Sequence, residues 1–216
     1  MPGLAFAQRK GTAFPTPLVG EALIGKSTEI HNGDVLVLTV NATYTANNIP
    51  VVRPLFSGDT VTTSNGLFGV ALFDVQTDSN ANMTTVSSPV TVSAQGKVSY
   101  QLPSIGFALP YDPATGYVRI YVALFDPQNV FAIRTQASDT ANFYLLNRSL
   151  GINASAASAP ATYTADDDAA AANAPVVCEG IDTTDPLFNS AAGGGRIFIS
   201  CKTSFYARNI SSGWFS

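Results

Sequence analysis

A repeated apolar segment constrains the fold of this chain more than any other feature. Residues 67–74, Leu-Phe-Gly-Val-Ala-Leu-Phe-Asp, are apolar up to the final Asp, and their core returns unchanged as Val-Ala-Leu-Phe-Asp at residues 122–126. An apolar run of this length, bounded by turn residues, is too short for an ordinary helix and is typical of a strand buried on both faces. The two copies predict two equivalent buried strands in a β-barrel or β-sandwich.

The composition of the 216-residue chain also favours an all-β fold. Charged residues make up only 12% of the chain, about half the usual share. The helix formers Glu and Lys are scarce, whereas Val, Thr, Phe and Tyr are plentiful. The net charge of −4 argues against a nucleic-acid-binding protein, which needs Lys and Arg gathered on one face.

Strand and turn signals divide the chain into three parts. Residues 1–17 show no periodicity and are predicted either as a disordered tail or as an extended N-terminal arm that reaches a neighbouring subunit. Residues 18–137 are predicted to form the main β-barrel or β-sandwich domain. Residues 138–216 are predicted to form a smaller C-terminal β-unit, with an Ala- and Asp-rich insertion at residues 154–174.

Turn chemistry predicts the local pairing of several strands. Asn32-Gly33 favours a tight turn, because both residue types accept a positive φ. Residues 89–94 and 98–102 flank a Gly and predict a hairpin, and residues 117–126 are expected to pair with residues 130–135 in another. Residues 76–88 are expected to form a polar loop.

The sequence contains no recognisable catalytic set, and we expect the protein not to be an enzyme. His31 is the only histidine, so a Ser-His-Asp or Cys-His catalyst would have to use it, and its turn context favours a solvated turn residue. Asp74 and Asp126 end the two repeated strands and form a symmetric acidic pair. We interpret them as turn starters rather than as glycosidase carboxylates.

No metal or cofactor is expected. Asp166, Asp167 and Asp168 could hold Ca²⁺, but they lack the spacing of an EF-hand loop, and a solvated acidic loop is the favoured interpretation. Cys178 and Cys201 are too few for a disulfide scaffold and are expected to be free, packed thiols, although the two strands that carry them could face each other.

The sequence also bears on where the protein is made. No run approaches the 18 consecutive apolar residues that indicate a membrane-spanning helix. Arg9 and Lys10 follow the apolar residues at the N-terminus, the reverse of the order in a signal peptide, so we expect the chain to be made and kept in a cytosol.

Three short motifs lie within about residues 18–135: Gly33-Asp34-Val35-Leu-Val-Leu38, Leu67-Phe-Gly69-Val70-Ala71, and Val90-Thr91-Val92 with Gly96-Lys97-Val98. The first is a Gly-Asp-Val strand, the second a Leu-x-Gly-Val-Ala strand and the third a Val-x-Val hairpin around a Gly. Together they resemble the capsid decoration (cement) proteins of tailed bacteriophages.

The resemblance implies a structural protein of the virion, a subunit that is often a homotrimer and sits on the outer surface of an icosahedral capsid. It would bridge major capsid protein subunits and stabilise the shell, with no direct contact to nucleic acid or membrane. Such proteins commonly reach the shell with an N-terminal segment. The candidate contact residues are therefore apolar and basic residues near the two termini: Leu4, Phe6, Arg9, Lys10, Phe14, Trp214 and Phe215.

The alternative is a receptor- or carbohydrate-binding β-sandwich module of a phage fibre or surface protein. That function requires exposed aromatic side chains that converge on a loop site. Tyr111, Tyr117 and Tyr163 are the candidates, although a core or turn role is expected for each.

Overall fold

The computed structural model describes most of the chain and shows an all-β protein. The described residues are 3–11, 17–25, 27–39, 50–62, 66–77, 83–86, 90–92, 98–102, 105–109, 118–136, 146–158, 161–187 and 194–206. Strands account for 51% of the structure, and no helix of seven or more residues occurs in these ranges. The predicted fold class is confirmed.

The described ranges contain seventeen strands, numbered in chain order. They are β1 (Ala5–Arg9), β2 (Val19–Ile24), β3 (Glu29–Ile30), β4 (Val35–Leu38), β5 (Val52–Pro54), β6 (Leu67–Ala71), β7 (Val75–Thr77), β8 (Met83–Val86), β9 (Val90–Val92), β10 (Val98–Leu102), β11 (Ile105–Leu109), β12 (Val118–Leu124), β13 (Asn129–Thr135), β14 (Ser149–Ala154), β15 (Tyr163–Asp166), β16 (Val176–Ile181) and β17 (Arg196–Cys201). One-turn 3-10 helices lie at Ala171–Asn173 and Thr203–Phe205.

The first half of the chain builds a five-stranded ring, here called the first barrel. Its strands lie in the order β2-β12-β6-β4-β5, and all neighbours are antiparallel. A parallel bridge between Leu23 and Val51 joins β5 back to β2, with the Leu23 N–H donating to the Pro50 carbonyl at 2.8 Å. This bridge closes the ring.

The second half builds another ring, here called the second barrel. Its strands follow the order β13-β15-β14-β16-β17, and β17 pairs with β13 to close it. The β13–β15 pair is parallel and the other pairs are antiparallel. β1 adds to β13 as an antiparallel outer strand.

The two barrels share one strand order. With the five strands of each barrel numbered in chain order, the order around the barrel is first, fifth, fourth, second, third. These four pairs of neighbours are antiparallel. The third strand then pairs with the first in parallel and closes the ring. The strands correspond one to one in chain order: those of the first barrel are β2, β4, β5, β6 and β12, and those of the second are β13, β14, β15, β16 and β17. The chain is therefore a tandem repeat of one barrel topology. In the first barrel, the segment between β6 and β12 carries additional strands.

Those additional strands belong to two small sheets, one of which also includes β3 from the segment between β2 and β4. β3, β7 and β8 form one three-stranded antiparallel sheet, and β9, β10 and β11 form another. The predicted hairpin around Gly96 is confirmed, since Val92 pairs with Val98. The polar loop expected at residues 76–88 is wrong in part, because β8 lies within it and pairs with β7.

The repeated segments form the buried strands that the sequence predicts. Every residue of β6 is buried, and Val122 to Phe125 are buried to the same degree. β6 packs so closely on β12 that a Cβ added at Gly69 would lie 2.7 Å from the Ala123 carbonyl oxygen. Glycine is required at this point because no side chain fits between the two backbones.

One hydrophobic core runs through both barrels. Phe125 follows β12 in the first barrel and stacks on Phe131 of the second, with ring centroids 4.8 Å apart. The Tyr163 hydroxyl of the second barrel donates to the Leu55 carbonyl oxygen of the first at 3.1 Å. The barrels therefore pack against each other as one body.

Pairing across the chain differs from the sequence prediction at β13. The predicted hairpin between residues 117–126 and 130–135 is wrong, because β12 pairs with β2 and β6 whereas β13 pairs with β1, β15 and β17. The second barrel thus begins at Asn129, and the Ala- and Asp-rich stretch after residue 154 supplies its strand β15. A short turn between two strands does not make them partners when other strands compete for their edges.

Candidate functional site

Strand β1 and the residues on either side of it contain the described residues that the sequence nominates for partner contact. Leu4, just before β1, is 4% exposed, and its N–H donates to the Gly33 carbonyl oxygen at 2.9 Å. Phe6 is half-buried and meets Phe131 edge-on, with ring centroids 6.1 Å apart. Both side chains pack on the chain that carries them.

The two basic candidates also contact the same chain. Arg9 donates to Gln128 Oε1 at 3.1 Å, and Lys10 Nζ donates to Glu179 Oε1 at 2.6 Å and to Ser200 Oγ at 3.3 Å. Burial would raise the pKa of Glu179, but the hydrogen bonds from Lys10 and Ser200 more than offset it and hold that pKa below its usual range. These bonds fasten the end of β1 to the second barrel.

The extended N-terminal arm is therefore not confirmed, because residues 5–9 are a strand of the six-stranded sheet. The remaining candidates, Phe14, Trp214 and Phe215, lie outside the described residues. Their assignment to partner contact stays a prediction.

A groove of about 500 Å³ opens between the start of β1 and the end of the first barrel. Most of its walls are apolar, and the polar side chains come from the turn after β3 and from the segment after β6. The lining residues are Gly3, Leu4, Ala5, Phe6, His31, Asn32, Asp34, Val70, Ala71, Leu72, Asp74, Ala123, Phe131 and Ala161. A concave apolar pocket with a few convergent polar groups is the usual form of a binding site in proteins.

The turn from His31 to Asp34 shapes one wall of this groove. The His31 N–H donates to Asp34 Oδ2 at 2.8 Å, and the Asp34 N–H donates to the His31 carbonyl oxygen at 2.9 Å. Gly33 has a φ of +91°, and a Cβ on the neighbouring Gly3 would lie 2.6 Å from the Gly33 carbonyl carbon. The predicted turn is confirmed, and its glycine also allows the N-terminal segment to approach closely.

Asp74 and Asp126 hold turns in two different ways. Asp126 accepts a hydrogen bond from the Gln128 N–H at 2.8 Å, the local turn that the sequence predicts. Asp74 instead accepts from the Asn32 N–H at 2.6 Å, so it stabilises the turn from His31 to Asp34 in a distant segment of the chain. The two copies of Val-Ala-Leu-Phe-Asp therefore end in different surroundings, and only the first lines the groove.

His31 is surrounded by carboxylates. Its Nε2 lies 3.0 Å from Glu29 Oε1 and its Nδ1 lies 4.0 Å from Asp74 Oδ1. The groove lining contains no Ser, Thr, Cys or Lys beside the imidazole. These contacts orient the turn and give this wall of the groove an acidic character.

Asp34 is the buried acid of the groove. It is 2% exposed, and burial raises the pKa of its carboxyl from 3.8 to about 6, against the opposing hydrogen bond from the His31 backbone. The Tyr163 side chain of the second barrel also contacts the carboxyl. The sequence indicates the turn through Asn-Gly, but it carries no signal for the approach of β1, Asp74 and Tyr163 to it.

Tyr163 does not match the alternative of an aromatic carbohydrate site. It is 3% exposed, and burial raises the pKa of its hydroxyl. A tyrosine in the core offers no ring face for a sugar, so this candidate is wrong. Tyr111 and Tyr117 lie outside the described residues.

Within the described ranges, the carboxylates that lie close enough together to share a metal ion are those of Asp166, Asp167 and Asp168. One oxygen from each of Asp166, Asp167 and Asp168 lies within 4.8 Å of the others. Asp167 is already paired with Arg148 at 3.2 Å, and Asp166 Oδ1 accepts from the Asp168 N–H at 3.0 Å. These three residues could supply part of a Ca²⁺ shell, which takes six to eight oxygen ligands.

The two cysteines are free and buried, as predicted. Cys178 pairs in register with Ile199 and Cys201 with Val176, so the thiols are not opposite each other on β16 and β17. Burial raises the pKa of both thiols. Their role is packing.

Comparison with known proteins gave no match: no family model fits the sequence, and no curated protein or solved structure is significantly similar. Within the described ranges, no helix has the length and apolar character needed to cross a membrane.

Proposed function

We propose that this chain is a structural protein of a phage virion that binds the outer surface of the icosahedral capsid and bridges major capsid protein subunits. The observation that carries this proposal is the tandem repeat of one barrel topology. Two barrels with the same strand order present two related surfaces from one chain. Such a chain suits a shell, which offers many copies of the same subunit surface.

The sequence resemblance supports the same function. It covers the first barrel, and the second barrel repeats the strand order of that region. The subunit would act as a homotrimer made in the host cytoplasm, without catalysis and without contact to nucleic acid or membrane. Trimerisation would add further contacts per particle, so that individually weak contacts hold tightly together.

The surface composition fits contacts that do not depend on charge alone. Only 12% of the residues are charged, so much of the surface is neutral. Capsid contacts of this protein would combine apolar burial with backbone and side-chain hydrogen bonds, as in other non-obligate interfaces.

The test is binding of the full chain to empty expanded capsids of the cognate phage. We expect saturable co-sedimentation at a fixed ratio per capsid subunit, and light scattering should give the mass of three chains for the free protein. Absence of binding to capsids, together with retention on a glycan array, would overturn the proposal in favour of a receptor- or carbohydrate-binding module.

Deletion of the N-terminal residues is not a clean version of this test. Such a deletion removes Leu4 from the core and β1 from its sheet. Loss of one buried Leu side chain costs about 2–5 kcal/mol, a large part of the stability of a small protein. Loss of binding after the deletion would therefore not separate contact from folding.

A further inference from the structure

The groove beside β1 combines an apolar floor with acidic side chains. Leu4, Val70, Leu72 and Phe131 are among its walls, and Asp34 and Asp74 are its acids. No Lys or Arg occurs among its lining residues. A ligand that fits this surface has an apolar body and a cationic group.

The acids differ in how much of their charge a ligand can reach. The Asp74 side chain is 44% exposed at the rim, and that of Glu29, which contacts His31 there, is 43% exposed. Asp34 is buried beneath the turn. A cation at the rim would thus meet Asp74 and Glu29 first, while the apolar part of the ligand covers the floor.

The charge of Asp74 can be tested separately from its hydrogen bond. Asp74 braces the Asn32 N–H through one oxygen, and an Asn at this position would retain an oxygen acceptor. The negative charge can therefore be removed without removing the hydrogen bond that holds the groove wall.

We propose that this groove docks an extended segment of the partner capsid protein that carries a Lys or Arg next to an apolar residue. The proposal rests on the proposed function, since it takes the partner from there, and it names the surface that makes the contact. The apolar side chain of the segment lies on the floor, and its cation lies beside Asp74 at the rim. A site exposed to this degree supplies register and specificity more than affinity, because water and salt screen the pair.

The chain offers a built-in reporter for this site. His31 is the only histidine in the sequence and lines the groove, so its imidazole gives one assignable set of NMR signals. The probe is the capped tripeptide acetyl-Leu-Lys-Leu-amide, and acetyl-Leu-Glu-Leu-amide is its charge-reversed counterpart. We expect the lysine peptide to shift the His31 signals in a saturable way, and the glutamate peptide to leave them unchanged.

The repeated segment supplies the matched control variant. Asp74→Asn removes a charge inside the groove, and Asp126→Asn removes the equivalent charge at the end of the other copy, outside it. We expect Asp74→Asn to weaken binding of the lysine peptide by about two- to five-fold, the range for an exposed ion pair, and Asp126→Asn to leave it unchanged. Equal affinity in the two variants, or no shift with the lysine peptide, would overturn the groove assignment.

Capsid binding separates this inference from the proposed function. If the wild-type chain and the Asp74→Asn variant bind capsids equally well, the groove proposal is wrong and the decoration function stands. If the lysine peptide binds the groove but the whole protein does not bind capsids, the decoration function is wrong and the groove remains a site for cationic apolar segments.

Discussion

Asp34 is a buried acid whose ionisation opposes folding. Its carboxyl is buried among His31, Asp74 and Tyr163, and its pKa is raised from 3.8 to about 6. Because the folded pKa lies above the unfolded one, Asp34 contributes stability that is fully present below about pH 4 and is lost as the pH rises through about 6. At neutral pH the buried carboxylate costs roughly 3 kcal/mol relative to acidic pH.

Asp34→Asn should remove this pH dependence. The Asn side chain still accepts from the His31 N–H but does not ionise. We expect the variant to gain up to about 3 kcal/mol in unfolding free energy over wild type above about pH 7, and to differ little from it near pH 4. Urea unfolding of both proteins across this range measures the difference.

Asp59→Asn is the control, because its effect on stability at neutral pH should be opposite to that of Asp34→Asn. The hydrogen bond from Arg53 holds the pKa of Asp59 below its usual range, so this carboxylate stabilises the fold at neutral pH and loses that effect in acid. Its substitution should destabilise the protein near pH 7. If Asp34→Asn instead follows the wild-type pH profile in parallel, the buried-acid interpretation is wrong.

Equivalent strands of the two barrels differ in whether their packing requires a glycine. β6 carries Gly69, where an added Cβ would lie 2.7 Å from a backbone oxygen of β12. The equivalent strand β16 carries Gly180, where the nearest atom to an added Cβ is Phe198 Cδ2 at 3.8 Å, an ordinary contact. Steric need for glycine therefore differs although the topology is the same.

Gly69→Ala should destabilise the protein far more than Gly180→Ala. A backbone oxygen cannot move aside as a side chain can, so we expect a loss of about 1–3 kcal/mol for Gly69→Ala. Gly180→Ala should stay within about 1 kcal/mol of wild type, because an added Cβ makes only an ordinary contact there and Ala restricts the unfolded chain. Chemical denaturation of the two variants gives the comparison, and equal losses would contradict the packing argument.

At the scale of the whole molecule, the shared core predicts cooperative unfolding. Phe125 is fully buried, stacks on Phe131 and donates its N–H to the Phe68 carbonyl oxygen at 2.9 Å. It thus joins strands of the first barrel to the first strand of the second. Disturbing it should weaken both barrels together.

Phe125→Ala is expected to cost about 3–5 kcal/mol, whereas Phe125→Leu, which retains most of the apolar volume, should cost much less. Hydrogen exchange followed in peptides from β6 and from β16 should show the same loss of protection in both barrels. Separate transitions, with β16 protected as in wild type, would show that the barrels are independent domains.

Local elements follow from the sequence because their causes are local. The buried runs that became β6 and β12, the Asn32-Gly33 turn, the hairpin around Gly96 and the strands β16 and β17 are all visible as period, β-branching or turn chemistry. The apolar run determines that a strand is buried on both faces, whatever its partners are.

Partnership between strands was decided only in the tertiary structure. The sequence of β13 does not show that this strand pairs with β1, β15 and β17 rather than with β12. The residues around Leu23 and Val51 likewise do not show that the two segments pair and close a ring. The groove acids likewise come from distant segments, with Asp74 reaching across to Asn32. A strand presents the same backbone donors and acceptors along its edge whatever its sequence, so the choice of partner depends on how all strands bury their apolar faces at once. For this reason the repeated Val-Ala-Leu-Phe-Asp indicates two buried strands by itself, and only the fold shows that one of them ends at a binding groove.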